Sequence, residues 1–346
     1  MKINKKPDNI NIESHICNVA YLERREQMKS DRFLIKAAEL YYRDGLSQQE
    51  IAQKLHTSRT SISRALIQAR NEGYVQIRIQ YPEQSNLGLE RELEEKYGLT
   101  EALIAVPAYD QSSEQEVAFQ AVDYILRVLK KNMVLGMTWG RAMHGFVEQL
   151  AKDERLRSLS FQNVKIVPFL GTPGVTQLDS WDATTYSNTL ATKVGNLLHC
   201  ASYNLSAPMY VDGAKEKELI EGIDEIAKVL HMAETADIAL IGIGSMQKDS
   251  SIIKAGIRTE EEYKELMKKG AVGEIVGRIY DKNGQTVDED LRRKMIGISL
   301  DKIAKIPVRV GMSYGKDKIE AIKGAISGGL VNVLVTDVPT AELLLK

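Results

Sequence analysis

Six polar side chains between residues 58 and 64 have the types that grip a polyanion: Ser58, Arg59, Thr60, Ser61, Ser63 and Arg64, at the start of the run SRTSISRALIQARNEG. Guanidinium groups take guanine edges or phosphates, hydroxyls serve either purpose, and a helix amino end favours phosphate. A second set surrounds three glycine-bearing turns, each following an apolar run: VLGMTWGRAM at 134–143, IALIGIGSM at 238–246 and VRVGMSYGKDK at 308–318. Backbone amides at such turns, joined to a helix amino end and a cation, suit a phosphate group. These runs nominate Gly136, Thr138, Trp139, Gly140 and Arg141 in the first, Gly242, Gly244 and Ser245 in the second, and Lys318 in the third. Glu274, in GAVGEIVGRIYD, adds a carboxylate. With Lys318 it could be the base and cation of a sugar-phosphate isomerase, or it could accept hydrogen bonds from sugar hydroxyls; the second reading is preferred because a DNA-reading segment shares the chain.

Other chemistries lack their residues. GMTWG does not have the G-x-G-x-x-G spacing of a dinucleotide fingerprint, no G-x-x-x-x-G-K-[ST] occurs, and no serine sits in G-x-S-x-G. The five histidines show no metal-ligand spacing, and Cys17 and Cys200 stand far apart outside any C-x-x-C pair. No cofactor, no metal and no catalytic set is expected.

Helical periodicity begins at Asp31, a possible cap, places Phe33, Ala37, Leu40 and Tyr41 on one face, and stops at Gly45. Ser47 with Glu50 forms a capping-box pattern that opens a second helix carrying Ile51, Ala52 and Leu55. After a turn at His56 and Thr57, Ser58 starts a third helix burying Ile62 and Leu66, and Gly73 ends it. The alternation in YVQIRI, 74–79, predicts a half-buried strand. Helix, turn, helix and wing together are the layout of a DNA reader whose third helix enters the major groove.

Past Pro82, LGLERELEEKYGL reads as a linker helix, whose Leu87, Leu89 and Leu93 with mixed charges suit either docking or self-association. Beyond it, strands are predicted at 101–106, 133–137, 163–168, 238–243, 308–311 and 332–336, and helices between them at 115–130, 188–198, 224–234, 260–269 and 317–327. Such alternation predicts an α/β fold with a mostly parallel sheet covered on both faces. The expected organisation is an arm at 1–30, a helix-turn-helix domain at 31–81, a linker helix at 82–100 and an effector domain at 101–346.

The chain has 346 residues, enough for about two domains. Its net charge of −1 conceals an asymmetry: 14 Lys and Arg face 9 Asp and Glu over residues 1–80, while 32 face 38 over 81–346. The basic front fits nucleic acid and the acidic remainder does not. The amino end has no apolar core of signal-peptide length and no later apolar run approaches the roughly 18 residues a bilayer needs, so a cytoplasmic protein without membrane contact is expected.

From about Asp31 onward the chain resembles the SorC family of sugar-responsive bacterial transcription regulators. The resemblance rests on the helix-turn-helix and on GMTWGRAM, ADIALIGIGS, GAVGEIVGRIYDKNG and IPVRVGMSYGKDKIEAIKGAISGGLVNVLVTD, in that order. It implies a winged-helix-like DNA-binding domain followed by a Rossmann-like effector domain, similar in fold to ribose-phosphate isomerase and glucosamine-phosphate deaminase enzymes but not catalytic. Its ligands would be phosphorylated sugars or related metabolites, with phosphate at Gly140 and Arg141, Gly242, Gly244 and Ser245 lining the pocket, Glu274 taking sugar hydroxyls and Lys318 supplying a cation. Ala142 stands where the family commonly has threonine, Glu274 where aspartate is commoner, and Tyr314 where glycine is usual. The implied function is control of a carbohydrate operon by a homodimer or homotetramer that binds double-stranded operator DNA and a phosphorylated sugar. The alternative is a sugar-phosphate isomerase or deaminase fused to a DNA-binding module.

Overall fold

A computed structural model describes residues 31–77, 86–106, 112–173, 183–248 and 250–346. The expected arm at 1–30 lies outside the described residues. The chain divides into two compact units, residues 1–80 and 81–346.

Among its described residues the first unit contains three helices. The first, α1, runs over residues 31–38 and widens into a π-helical turn at Glu39–Arg43. Asp31 is already helical, and its carboxylate bonds the Tyr74 hydroxyl instead of capping. The second, α2 (Gln48–Lys54), starts with the reciprocal Ser47/Glu50 capping box, so two orphan amide donors are satisfied locally. His56 then takes a left-handed conformation, φ 52°, and Ser58 caps α3 (Arg59–Asn71). Leu34, Leu40, Ile51, Ile62, Leu66 and Ala69 form one buried cluster that fixes the helices around the turn. The wing departs from expectation: 74–77 forms no strand, and 78–79 lies outside the described residues. Tyr74 and Ile77 are exposed there, while Val75 packs against the helical cluster.

The second unit begins with α4 (Leu87–Tyr97) and continues β1 (Glu101–Ala105), α5 (Ser113–Val128), β2 (Val134–Met137), α6 (Arg141–Leu150), β3 (Lys165–Pro168), α7 (Ser187–Leu197) and β4 (Ala201–Ser202). Next come α8 (Ala214–Glu221), α9 (Asp224–Glu234), β5 (Ile238–Gly242), β6 (Gly244–Ser245), α10 (Ser251–Lys254), α11 (Glu260–Lys268), β7 (Ala271–Ile275) and β8 (Arg278–Asp281). The remainder is α12 (Glu289–Lys294), α13 (Leu300–Ile303), β9 (Val308–Met312), α14 (Ile319–Ser327), β10 (Val333–Asp337) and α15 (Val338–Leu345). Seven strands form a parallel sheet in the order β1-β10-β9-β5-β2-β3-β4. All six predicted strands are in it, and β4, two residues long, is too short to leave a pattern.

Both faces of the sheet are buried, which is why its strands read as continuous apolar runs. Along β5, Ile238 and Leu240 point into one core while Ala239 and Ile241 point into the other. Along β10, Val333 and Val335 join the first and Leu334 the second. The helix expected as a linker, α4, packs into this unit with Leu93 fully buried. Its Glu94 and Glu90 carboxylates each accept a backbone N–H of the edge strand β1, from Ala102 and Ile104, both at 2.9 Å. That arrangement covers an edge that would otherwise present unpaired donors to another chain. No helix among the described residues is long and apolar enough to cross a membrane.

Candidate functional site

The adjacent strands β2, β5 and β9 end at a shared cavity of about 370 Å³, the place where ligands collect in open parallel sheets. The three glycine-bearing turns converge there, with walls from Trp139 to Ala142, Gly242 to Ser245, Met312 to Gly315, Asp317 and Lys318. A fourth contribution comes from a small antiparallel sheet, β6-β7-β8, in which Gly244 pairs with Glu274 and Ser245 with Gly273. The volume is near the lower end of small-molecule sites, about 300–1,000 Å³.

The first turn works through its backbone. Gly140 has φ 98°, a conformation that side chains disfavour, and it caps α6 without a side-chain acceptor. Its own N–H is taken by Thr185 O at 2.9 Å. The Ala142 and Met143 amides of α6 belong to the donors that a helix leaves unsatisfied in its first turn, and Arg141, the first helical residue, is exposed on the cavity wall beside them. Cation, helix dipole and unsatisfied donors therefore coincide, the arrangement that favours an oxyanion.

Two candidates in this stretch support the site from behind and do not line it. Gly136 lies in the middle of β2, where a Cβ would come within 1.9 Å of the Phe169 ring, so the glycine makes room for a buried aromatic. Thr138 is fully buried, and its Oγ1 accepts the Gly242 N–H at 3.0 Å, tying the end of β5 to the first turn. Trp139 does line the cavity; its Nε1 donates to Glu274 Oε1 at 3.4 Å.

Glu274 is the buried carboxylate of the site. Its Oε1 also accepts the Gly277 N–H at 2.5 Å, and its Oε2 lies where a Cβ on Gly244 would stand, 2.6 Å away. Glycine at 244 is thus required by the carboxylate packed on its Cα. Burial holds the Glu274 carboxyl above the ordinary carboxylate range, against the opposing pull of the Gly277 N–H, the Trp139 indole and the Lys318 charge. The turn that carries this system is strained: Val276 and Gly277 have φ 54° and 69°, and a β-branched residue at positive φ is uncommon. The Glu274 bond to Gly277 helps hold it.

Ser245, next to Gly244 on β6, bonds Asp317 Oδ2 through its Oγ at 3.1 Å, and Lys318 stands half-buried at the start of α14. Asp317, Ser250, Ser251 and Ser313 also line the cavity, and sequence reasoning did not single them out as site residues. Asp317 sits between two lysines and reads as part of a solvated charge run; its role emerges from the contact with Ser245, 72 positions away.

In the first unit, α3 separates the residues nominated from the sequence. Arg59, Thr60 and Arg64 are exposed on the side away from the buried Ile62, Ala65, Leu66 and Ala69. Ser58 and Ser61 bond one another at 2.9 Å and cap the helix, and Ser63 is half-buried. The cations are therefore the groups most available to a phosphate backbone or a base edge.

Residues 81–346 match the model of the sugar-binding domain family. The sorbitol operon regulator of Klebsiella pneumoniae is 33% identical over 317 residues, covering 91% of this chain and 98% of that protein. The deoxyribonucleoside regulator of Bacillus subtilis is 30% identical over 327 residues, covering 94% and 99%. The crystal structure of the full-length Klebsiella pneumoniae sorbitol operon regulator matches with a TM-score of 0.69 at 31% identity, covering 92% of this chain and all of that one.

Proposed function

Given that the chain belongs to the SorC family of sugar-responsive transcriptional regulators, we propose that it controls a carbohydrate operon by binding operator DNA with an affinity set by a phosphorylated sugar. The observation that carries the ligand class is the cavity at the ends of β2, β5 and β9, where the amino end of α6 and Arg141 face the Glu274 and Asp317 carboxylates. Phosphate is held at Gly140 and Arg141, with Lys318 as the second cation. Glu274 and Asp317 accept sugar hydroxyls, while Trp139, Gly242, Gly244 and Ser245 shape the wall. Thr138 and Gly136 act through their neighbours.

The protein binds its sugar without turning it over. A general base for isomerisation needs a carboxylate free to reach the substrate proton. Glu274 Oε1 is engaged by both Trp139 and Gly277, which supports a binding role. Arg59 and Arg64 of α3 contact DNA, and a homodimer or homotetramer in the cytoplasm brings several such helices to spaced half-sites. The effector changes DNA affinity by binding unequally to the DNA-competent and incompetent states.

A thermal-shift screen of sugar phosphates beside the same sugars without phosphate tests the ligand class. Stabilisation by phosphorylated members alone is expected, followed by weaker calorimetric binding of that ligand to Lys318→Ala with basal operator binding retained. Stabilisation by unphosphorylated sugars to the same extent, or turnover of the ligand, overturns the proposal.

A further inference from the structure

The exposed side of α3 carries one large apolar side chain. Ile67 is 50% exposed, whereas Ile62 and Leu66, the other large apolar residues of the helix, are buried in the cluster behind it. Thr60, Ser63, Arg64, Ile67 and Asn71 follow one another at three- and four-residue spacings, so they share the side turned away from that cluster. A single exposed isoleucine is ordinary on a protein surface, but this one stands among groups suited to a polyanion. No Asp or Glu occurs from residue 51 to residue 71, while Arg59, Arg64 and Arg70 are exposed on α3. Glu72, just past the helix, is engaged by Gln68 Nε2 at 2.7 Å. The polar neighbours of Ile67 on α3 leave a protein partner no contiguous apolar patch on this helix, and the charge of the face is complementary to nucleic acid.

Resting on the reading of α3 as the helix that contacts DNA, we infer that Ile67 reads a thymine through its C5-methyl group in the major groove. That groove admits a helix, and the thymine methyl is the apolar group among the base edges displayed there. Ile67 lies about one turn past Ser63 and Arg64, roughly 4.5–6 Å along the axis at 1.5 Å per residue, so its base pair is one or two steps from the pair that Arg64 faces. Arginines and hydroxyls in the first two turns supply phosphate and hydrogen-bonding contacts; the isoleucine supplies the apolar one they cannot make. Cytosine at the same place offers no methyl, and a purine turns a polar edge toward the side chain. Ile67 therefore discriminates among bases without contributing to the charge that binds any duplex.

Duplexes enriched from a random library by the full chain, then remade with single dT to dU replacements, test this by equilibrium binding. Deoxyuridine differs from thymidine only in lacking the methyl group. At one position in each half-site the replacement should weaken wild-type binding about fourfold, the worth of one buried methyl group. Ile67→Ala should bind the thymine duplex about fourfold more weakly and bind the dT and dU duplexes nearly alike. It should also keep the wild-type salt-dependence slope, because no phosphate contact is lost. An exposed helix position tolerates alanine, so this variant should melt with the wild type. Absence of any dU-sensitive position, or the full fourfold loss persisting in Ile67→Ala, overturns the inference. So does an Ile67→Ala variant whose oligomeric state changes while its dT to dU ratio stays, since that assigns the side chain to self-association. If no duplex is enriched, the DNA-binding reading itself falls and the inference with it; an enriched duplex indifferent to dU removes the Ile67 role alone.

Discussion

Replacing Thr138 by valine keeps the shape of a fully buried side chain and removes one acceptor. In the native protein Thr138 Oγ1 takes the Gly242 N–H at 3.0 Å, and Gly242 is part of the cavity wall. Stranding a partly buried N–H costs about 1–3 kcal/mol. At about 2–4 °C per kcal/mol for a domain of this size, the melting temperature should fall by roughly 5 °C. Gly242 then loses its anchor to the first turn, and effector affinity should drop by about tenfold if some 1.4 kcal/mol of that cost reappears in binding. Thr138→Ser supplies the complementary control: it keeps the acceptor and loses a buried methyl, for about 1 kcal/mol of stability. Thermal denaturation of the ligand-free variants with calorimetry of the effector separates the cases. The serine variant should lose stability and keep affinity, whereas the valine variant should lose both. Weaker binding by Thr138→Val with an unchanged melting temperature would mean that the hydroxyl touches the ligand directly, and no change in either quantity would refute the supporting role.

Arg59→Ala combined with Arg64→Ala should abolish measurable operator binding while leaving effector affinity intact, and undiminished operator affinity would contradict the assignment. In the corresponding single variants, removing an arginine that neutralises a phosphate should lower the salt-dependence slope by about 1. Glu274→Gln tests the buried carboxyl through pH. Because burial raises the folded-state value, the native protein gains stability from protonated Glu274 at low pH and loses it as pH rises through that value. The glutamine variant, which cannot ionise, should therefore melt higher than the wild type above the raised value, with the difference shrinking as pH falls to the ordinary carboxylate range; a difference that does not change with pH would show that Glu274 does not titrate.

Much of the architecture is legible in the sequence because local and tertiary preferences agree. The Ser47/Glu50 box and the Ser58 cap are local hydrogen bonds between residues three apart, so their spacing announces α2 and α3. The six predicted strands of the main sheet are apolar runs because both their faces are covered. The hairpin β7–β8 is less visible. Its turn is Val276-Gly277, and valine carries no signal for the positive φ that the surrounding packing imposes. The helix α4 reads as a linker because Glu90 and Glu94 resemble solvated charges, whereas they accept the edge donors of β1.

The sequence by itself determined the capped helices α2 and α3 with their exposed arginines and the three glycine-bearing turns that follow apolar strands. Hydrophobic periodicity, caps and local charge are encoded within a few residues and survive without knowledge of the partner segments. Tertiary structure alone decided which members of each turn line the cavity. It turned Gly136 toward the Phe169 ring, set Thr138 behind Gly242, and brought Ser245 against Asp317 from 72 positions away. Those roles depend on which backbone passes within hydrogen-bonding or van der Waals distance once the sheet has closed, and contact at that range is a property of the packed fold.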